Sequence, residues 1–221
     1  MTEPPAHLRS FRHRRGRLSP TTADALARLG HQLLPVDGSP LQADVLFGRA
    51  APLVLEIGCG MGEATALMAA ADPTRDVLAV DVHVQGLGRL LRRAEDAGLT
   101  NVRVAEGDAV VLLRDMLGPE SLDEVRVFFP DPWPKARHAK RRLVQPPFLD
   151  LVSSRLRPGG QLHVATDWAP YAAQVTDLLG THPSYDVEHV GARPERRPVT
   201  RFEQRGLDAG RRSRDVVARR R

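Results

Sequence analysis

Apolar and polar positions change their period several times along the chain. Between residues 53 and 166, five short and nearly continuous apolar runs alternate with longer segments. The runs are Leu53–Ile57, Val77–Asp81, Val102–Glu106, Val125–Phe129 and Gln161–Thr166, and their length and β-branched content predict buried strands. After the second run, Val84, Leu87, Leu90, Leu91 and Ala94 share one helical face, while Arg89, Arg92, Arg93 and Asp96 take the other. Pro146-Pro147 can open a helix and Pro158-Gly159-Gly160 can close it, with Phe148, Leu151, Val152 and Leu156 pointing inward. A further helix is predicted from about Pro170 to Leu179. Strands that alternate with helices in this way imply an α/β fold, with a mostly parallel central sheet flanked by helices.

Residues 21–192 form the predicted body, a single domain. Residues 1–20 and 193–221 lack a strong apolar rhythm. The first segment reads as a basic arm whose order without a partner is left open. The second reads as a basic C-terminal segment packed on, or continuous with, the same domain. No internal repeat or low-complexity tract interrupts the body.

Charge changes the picture more than composition does. The 221 residues carry a net +5, but residues 1–17 hold five Arg against Glu3, residues 135–142 hold five basic groups and no acid, and residues 193–221 hold eleven Arg against four acids. Those three stretches carry +16, so the remainder carries −11. An acidic body with separate basic segments suits a protein that meets a polyanion at chosen places. Only two of the basic residues are lysines, Lys135 and Lys140, and both fall in the middle segment. No apolar run approaches the roughly 18 residues that would span a bilayer. The single cysteine, Cys59, excludes an internal disulfide and fits a reducing compartment, so a cytoplasmic protein is expected. An Arg-rich transit peptide is the alternative reading of residues 1–18, and the Arg bias of the whole chain weighs against it.

The first strand runs into Glu56-Ile57-Gly58-Cys59-Gly60-Met61-Gly62. Glycines there let the chain turn sharply and let a ligand lie against bare backbone near the start of a helix. The spacing is G-x-G-x-G rather than the dinucleotide fingerprint G-x-G-x-x-G. Glu56, two residues before the first glycine, would repel a pyrophosphate and welcome a cationic amino-acid moiety. Asp81 ends the next strand, where it can accept from ribose hydroxyls, and Asp108 follows the third strand, where it can accept from an adenine amino group. The cofactor this combination favours is S-adenosylmethionine, bound by Glu56, Gly58, Gly60, Gly62, Asp81 and Asp108 at the carboxyl ends of successive strands. Cys59 is expected to pack as a small apolar residue.

The fourth strand ends in Pro130-Asp131-Pro132-Trp133-Pro134, whose three prolines give a stiff extended turn. That turn would place Asp131 near the reacting methyl group. Trp133 reads equally as a face for base stacking or as partly buried core. The basic run that follows can engage several phosphates. No His/Cys cluster has metal-ligand spacing, so no metal is expected; His83, His138 and His163 would pack or hydrogen-bond.

Four stretches together resemble the bacterial tRNA (guanine-N7-)-methyltransferase family. They are Phe-Phe-Pro-Asp-Pro-Trp-Pro-Lys-Ala-Arg-His-Ala-Lys-Arg-Arg at 128–142, Glu-Ile-Gly-Cys-Gly-Met-Gly-Glu at 56–63, Ala-Thr-Asp at 165–167 and Arg-Pro-Val-Thr-Arg-Phe-Glu at 197–203. The likeness runs from about Arg9 to about Gly206, and the 128–142 segment is its most specific part. It implies a single Rossmann-like class I methyltransferase domain that transfers methyl from S-adenosylmethionine to N7 of a guanine in the variable loop of tRNA (position 46). It further implies that Asp131 is both a cofactor contact and the catalytic residue. Lys135, Asp167, Thr200, Arg201, Phe202 and Glu203 would contact the substrate, and Arg137, His138, Lys140, Arg141 and Arg142 the RNA. Arg201 and Asp81 stand where the family usually has Lys and Glu, and the stretch after Gly206 is more polar than the family's packed tail. Guanine N7 carries no proton, so its methylation asks for alignment and charge stabilisation rather than a base. A methyltransferase acting on another RNA, and a non-catalytic RNA-binding subunit on the same scaffold, are the rival readings. Both a monomer and a homodimer are compatible with the sequence.

Overall fold

The computed structural model describes residues 18–221. The strands are β1 (Leu33–Pro35), β2 (Leu53–Ile57), β3 (Asp76–Asp81), β4 (Val102–Glu106), β5 (Leu122–Phe128), β6 (Leu156–Thr166), β7 (Tyr185–Gly191) and β8 (Arg214–Arg220). The helices are α1 (Pro20–Leu29), α2 (Ala43–Phe47), α3 (Glu63–Ala71), α4 (Val84–Asp96), α5 (Ala109–Val111), α6 (Pro146–Arg155), α7 (Ala169–Thr181) and α8 (Arg201–Asp208). Among the described residues, no helix is long and apolar enough to cross a membrane.

The strands form one sheet in the order β1-β4-β3-β2-β5-β6-β8-β7. Pairing is parallel from β1 to β6, whereas β8 runs antiparallel to both β6 and β7. The chain leaves β2 in one direction to build β3 and β4, then crosses back to add β5 on the other side. A gap therefore opens at the carboxyl ends of β2 and β5, the switch point where open α/β sheets bind ligands.

Each central strand is an apolar run because both faces of the sheet are covered. Leu53, Leu55, Ile57, Val125, Val127, Leu162 and Val164 face Phe148 and Val152 of α6 and Tyr171, Val175 and Leu179 of α7. Val54, Val77, Ala79, Val102 and Val104 face the other way, onto Leu87, Leu90, Leu91 and Ala94 of α4.

From β5 onward that second face becomes ionic. Glu124, Arg126, His163 and Asp215 are all buried on it. Glu124 accepts from Arg75 at 2.7 Å, Arg126 at 3.0 Å and Arg196 at 2.9 Å. Arg197, fully buried, donates to Asp215 and to both oxygens of Glu203, and His163 Nε2 lies 2.7 Å from Asp215. Burial holds the His163 imidazole below its ordinary pKa despite the bond to Asp215, and the Arg197 guanidinium lies between the two acids.

Three expectations change here. Pro158-Gly159-Gly160 does not separate α6 from a later strand. The strand begins at Leu156, and the glycines sit where the register slips between the pairs Leu122↔Leu156 and Glu124↔Gln161. Phe129 lies outside β5, with φ of +53°. The C-terminal segment, which lacks a strong apolar rhythm and has no predicted strand, contributes one: residues 214–220 form β8 inside the sheet. Val216, Val217 and Ala218 are buried, while Arg219 pairs with Glu188, Arg220 with Glu120 and Arg221 with Asp186. Residues 1–17 of the N-terminal arm lie outside the described residues.

Burial alone would raise the Glu124 carboxyl, but Arg126, Arg196 and Arg75 outweigh it and bring it down to about 2. A carboxylate depressed in the folded state contributes stability above its ordinary pKa and loses it as the pH falls through the folded value. Glu124→Gln is therefore expected to lower Tm at about pH 7, and the gap to the unaltered protein should close as the pH falls from about 4.5 to about 2. Thermal melts across that range check the sign.

Candidate active site

The turn after β2 is built by Gly58, Gly60 and Gly62, with φ of +76°, +55° and +70°. This left-handed region suits glycine. A Cβ at Gly58 or Gly60 would meet nothing within 4 Å, so those two leave open backbone. At Gly62 a Cβ would lie 2.5 Å from Cβ of Leu90, so its bareness serves the packing of α4. Gly86, at the start of α4, is tighter still, since a Cβ there would fall 1.9 Å from the carbonyl oxygen of Gly60. No motif marks Gly86 in the sequence. Its one signal is a glycine in the first turn of an otherwise regular helix, which costs helix stability and so asks for a packing reason.

Three of the four expected acids line the crevice. Asp81 ends β3, accepting from the Gly60 N–H at 3.1 Å through one oxygen and from the His83 N–H at 2.9 Å through the other. Burial pushes its carboxyl up against those two donors. Asp108 caps α5 by accepting from the Val110 N–H at 2.9 Å. Asp131 is exposed, on the proline-rich turn beyond β5. These three and Gly58 line one crevice of about 240 Å³, together with His83, Gly107, Phe129 and Leu143. Glu56 is outside this lining and almost fully buried on β2. One of its oxygens accepts from the Thr65 hydroxyl at 2.9 Å, and the other is buried with no partner. Burial raises the Glu56 carboxyl, against the pull of Arg126. Glu56 lies two residues before the open glycine backbone, and its orphaned oxygen is an acceptor that the cationic amino group of S-adenosylmethionine would satisfy.

The residues expected to meet RNA divide. Lys135, Arg137 and Lys140 are exposed, the last two within tight turns over Ala136–Arg141. Arg141 lies over the Trp133 ring at 4.2 Å, and the His138 ring meets it edge-on. Trp133 is itself buried, so the packed reading of that residue prevails. Arg142 is a correction. It is buried, donates to the Pro132 carbonyl at 2.9 Å and to Gln174, and lies over the Tyr171 ring, so it braces the turn from inside instead of facing phosphate.

The 200–203 stretch also divides. Thr200 caps α8 by accepting from the Glu203 N–H at 3.2 Å. Arg201 is exposed, as is Phe202, whose ring lies 5.2 Å from that of Phe129 at the crevice wall. Glu203, expected to contact substrate, is buried against Arg197 and Ser213 and anchors α8 instead. Asp167, at the end of β6, accepts from Arg211 at 2.8 Å. Arg197 carries no assigned role in the sequence, although its guanidinium lies 5.3 Å from the Phe129 ring and 5.6 Å from that of Phe128. One Arg among the eleven of a polar segment gives no sign of which acids it will find. Among the described residues, no group of three or more His, Cys, Asp or Glu could hold a metal ion.

Comparison with known proteins gives the site its class. A family described as putative methyltransferase matches residues 50–216, which include β2 to β7, the start of β8, the glycine turn and the four acids. The fold recurs in the 16S rRNA methyltransferase KamB, 18% identical with a TM-score of 0.58 over 82% of this chain and 94% of that one. It also recurs in a phosphoethanolamine N-methyltransferase of Haemonchus contortus in complex with S-adenosyl-L-methionine, 15% identical with a TM-score of 0.51 over 90% and 52%. Curated relatives are much nearer in sequence. A tRNA (guanine-N(7)-)-methyltransferase of Streptomyces avermitilis is 56% identical over 96% of this chain and 75% of its own length, and one of Nitrosospira multiformis is 52% identical over 96% and 94%. The chain belongs to the tRNA (guanine-N(7)-)-methyltransferase family.

A carboxyl raised by burial opposes folding once it ionises, so the cost is absent at low pH and present at neutrality. Glu56→Gln is expected to leave the cofactor-free protein at least as heat-stable as the original at about pH 7, the difference shrinking toward about pH 4. The same change should weaken S-adenosylmethionine binding by roughly tenfold or more, the worth of a hydrogen bond to a charged group. Melts and calorimetric titrations check both halves.

Proposed function

We propose that this protein methylates N7 of a guanine in tRNA, with the variable-loop guanine (position 46) as its target and S-adenosylmethionine as methyl donor. The observation that carries the reading is the convergence of Gly58, Asp81, Asp108 and Asp131 on one crevice, beside the exposed cations Lys135, Arg137 and Lys140, in a chain of this family. The cofactor supplies a methyl group already activated on a sulfonium sulfur. Glu56 and the open glycine backbone hold its amino-acid end, Asp81 its ribose hydroxyls and Asp108 its adenine.

The chain's remaining task is to align the guanine and stabilise charge. N7 has a lone pair and no proton, so no residue need act as a base. Positive charge appears on the ring as the reaction proceeds, and a carboxylate beside the ring stabilises that state more than the neutral base. Asp131 is the carboxylate placed for this, at the crevice lining and on a turn stiffened by three prolines. Asp131 or Asp167 accepts from the guanine N1–H and amino group, which turns N7 inward. Phe202 and Phe129 offer an aromatic wall for the base, and Lys135 a point charge for its backbone.

Transfer of labelled methyl from S-adenosylmethionine to bulk tRNA, followed by chain cleavage at 7-methylguanosine, tests the activity. Asp131→Asn is expected to keep cofactor affinity within about threefold and to slow single-turnover transfer by about tenfold to a thousandfold. An unchanged single-turnover rate would remove Asp131 from the chemistry.

A further inference from the structure

α8 is attached to the domain chiefly by polar contacts. Of its eight residues only Glu203 and Gly206 are buried, and Arg201 and Phe202 project outward. Two free N–H groups of its first turn find acceptors from different places. The Glu203 N–H is taken by Thr200, the helix's own cap. The Arg201 N–H is taken by Glu63, 138 positions away, whose Oε2 accepts it at 2.9 Å. Glu63 Oε1 also lies 3.8 Å from the Arg201 guanidinium, which stays largely exposed. Glu63 is the first residue of α3 and directly follows Gly62. The turn it continues is pinned on its other side, where Gly60 donates to Asp81 and the Met61 carbonyl accepts from Arg93.

We propose that Glu63 is a positioning residue. Its bond to the Arg201 N–H locks α8 to the cofactor turn, so that Arg201 and Phe202 face the RNA from a fixed place beside the crevice. A carboxylate at a helix N-terminus also interacts favourably with the helix dipole, and this one has its own helix behind it at α3 and a second in front at α8. The inference rests on the proposed tRNA-methylating activity. It adds a residue that touches neither methyl donor nor guanine and acts through the placement of others.

The test is steady-state methylation of tRNA by the full chain and by Glu63→Ala, Glu63→Gln and Glu63→Asp, with Tm and S-adenosylmethionine affinity measured for each. Loss of the contact should raise KM for tRNA by roughly threefold to thirtyfold in Glu63→Ala, the worth of a lost N-terminal cap. Cofactor affinity and kcat should stay within about twofold, a split that mere loss of folded protein would not produce. Glu63→Asp keeps the charge but draws the carboxylate back from α8, so it should raise KM as well. Glu63→Gln keeps an acceptor oxygen at full reach and should restore KM. If Glu63→Ala folds poorly, the contrast between Asp and Gln decides the matter. Equal KM for the original, Ala and Asp proteins would overturn the inference, as would a Gln variant no better than Asp. Absence of methyl transfer by the original protein would instead overturn the activity on which the inference rests.

Discussion

At the gap between β2 and β5 the fold holds carboxylates in surroundings that disfavour their charge. Glu56 is buried on β2, bonded to Thr65 of α3 and with one oxygen unpartnered, and Asp81 is nearly as buried at the end of β3. Burial raises both. The fold accepts this cost at the switch point, where the connections from β2 and β5 run to opposite faces and leave a crevice beyond the strand ends that a ligand with positive charge can fill. Glycines without side chains, the close approach of α4 through Gly86 and the stiff turn that bears Asp131 all serve the same edge.

A second buried polar region begins on β5, and there the acids are met by cations, while Nε and Nη1 of Arg126 are buried with no partner. Glu124 gathers three guanidinium groups, and Arg197 gathers two carboxylates. Such clusters contribute little to net stability relative to apolar packing, yet removing one member costs several kcal/mol and each admits few arrangements. Here the arrangement places α8 and the Phe129 wall, because Arg197 holds Glu203 on one side and lies against the Phe128 and Phe129 rings on the other. The structure thus separates acids left to meet a ligand from acids matched internally.

That separation marks how far the sequence could be read. β2, β3 and β4 were legible because each is an apolar run buried on both faces, and the acids after them were legible by position alone. β8 was not, since its three apolar residues lie between arginines and it enters the sheet antiparallel, late in the chain. The alternation Glu124-Val125-Arg126 within a buried strand was a signal of the ionic face, but nothing in it named Arg75 or Arg196 as partners. For the same reason the motifs do not show that Arg142 and Glu203 are buried. A charge in a motif shows that charge is wanted there, and only the fold shows whether it faces solvent or a buried partner. The +16 divided among three segments is likewise not all available to RNA, because Arg196, Arg197, Arg219, Arg220 and Arg221 are matched within the domain.

The claim on which the rest stands is that the crevice stores ionisation that a cationic ligand completes. Its most direct test is the proton balance of S-adenosylmethionine binding, by calorimetric titration in buffers of different ionisation enthalpy from about pH 5 to about pH 7. A cation beside carboxyls raised by burial should ionise them, so binding should release protons, more toward the acid end of that range, and Glu56→Gln should remove much of the release. Cofactor binding that exchanges no protons anywhere in the range would contradict the account.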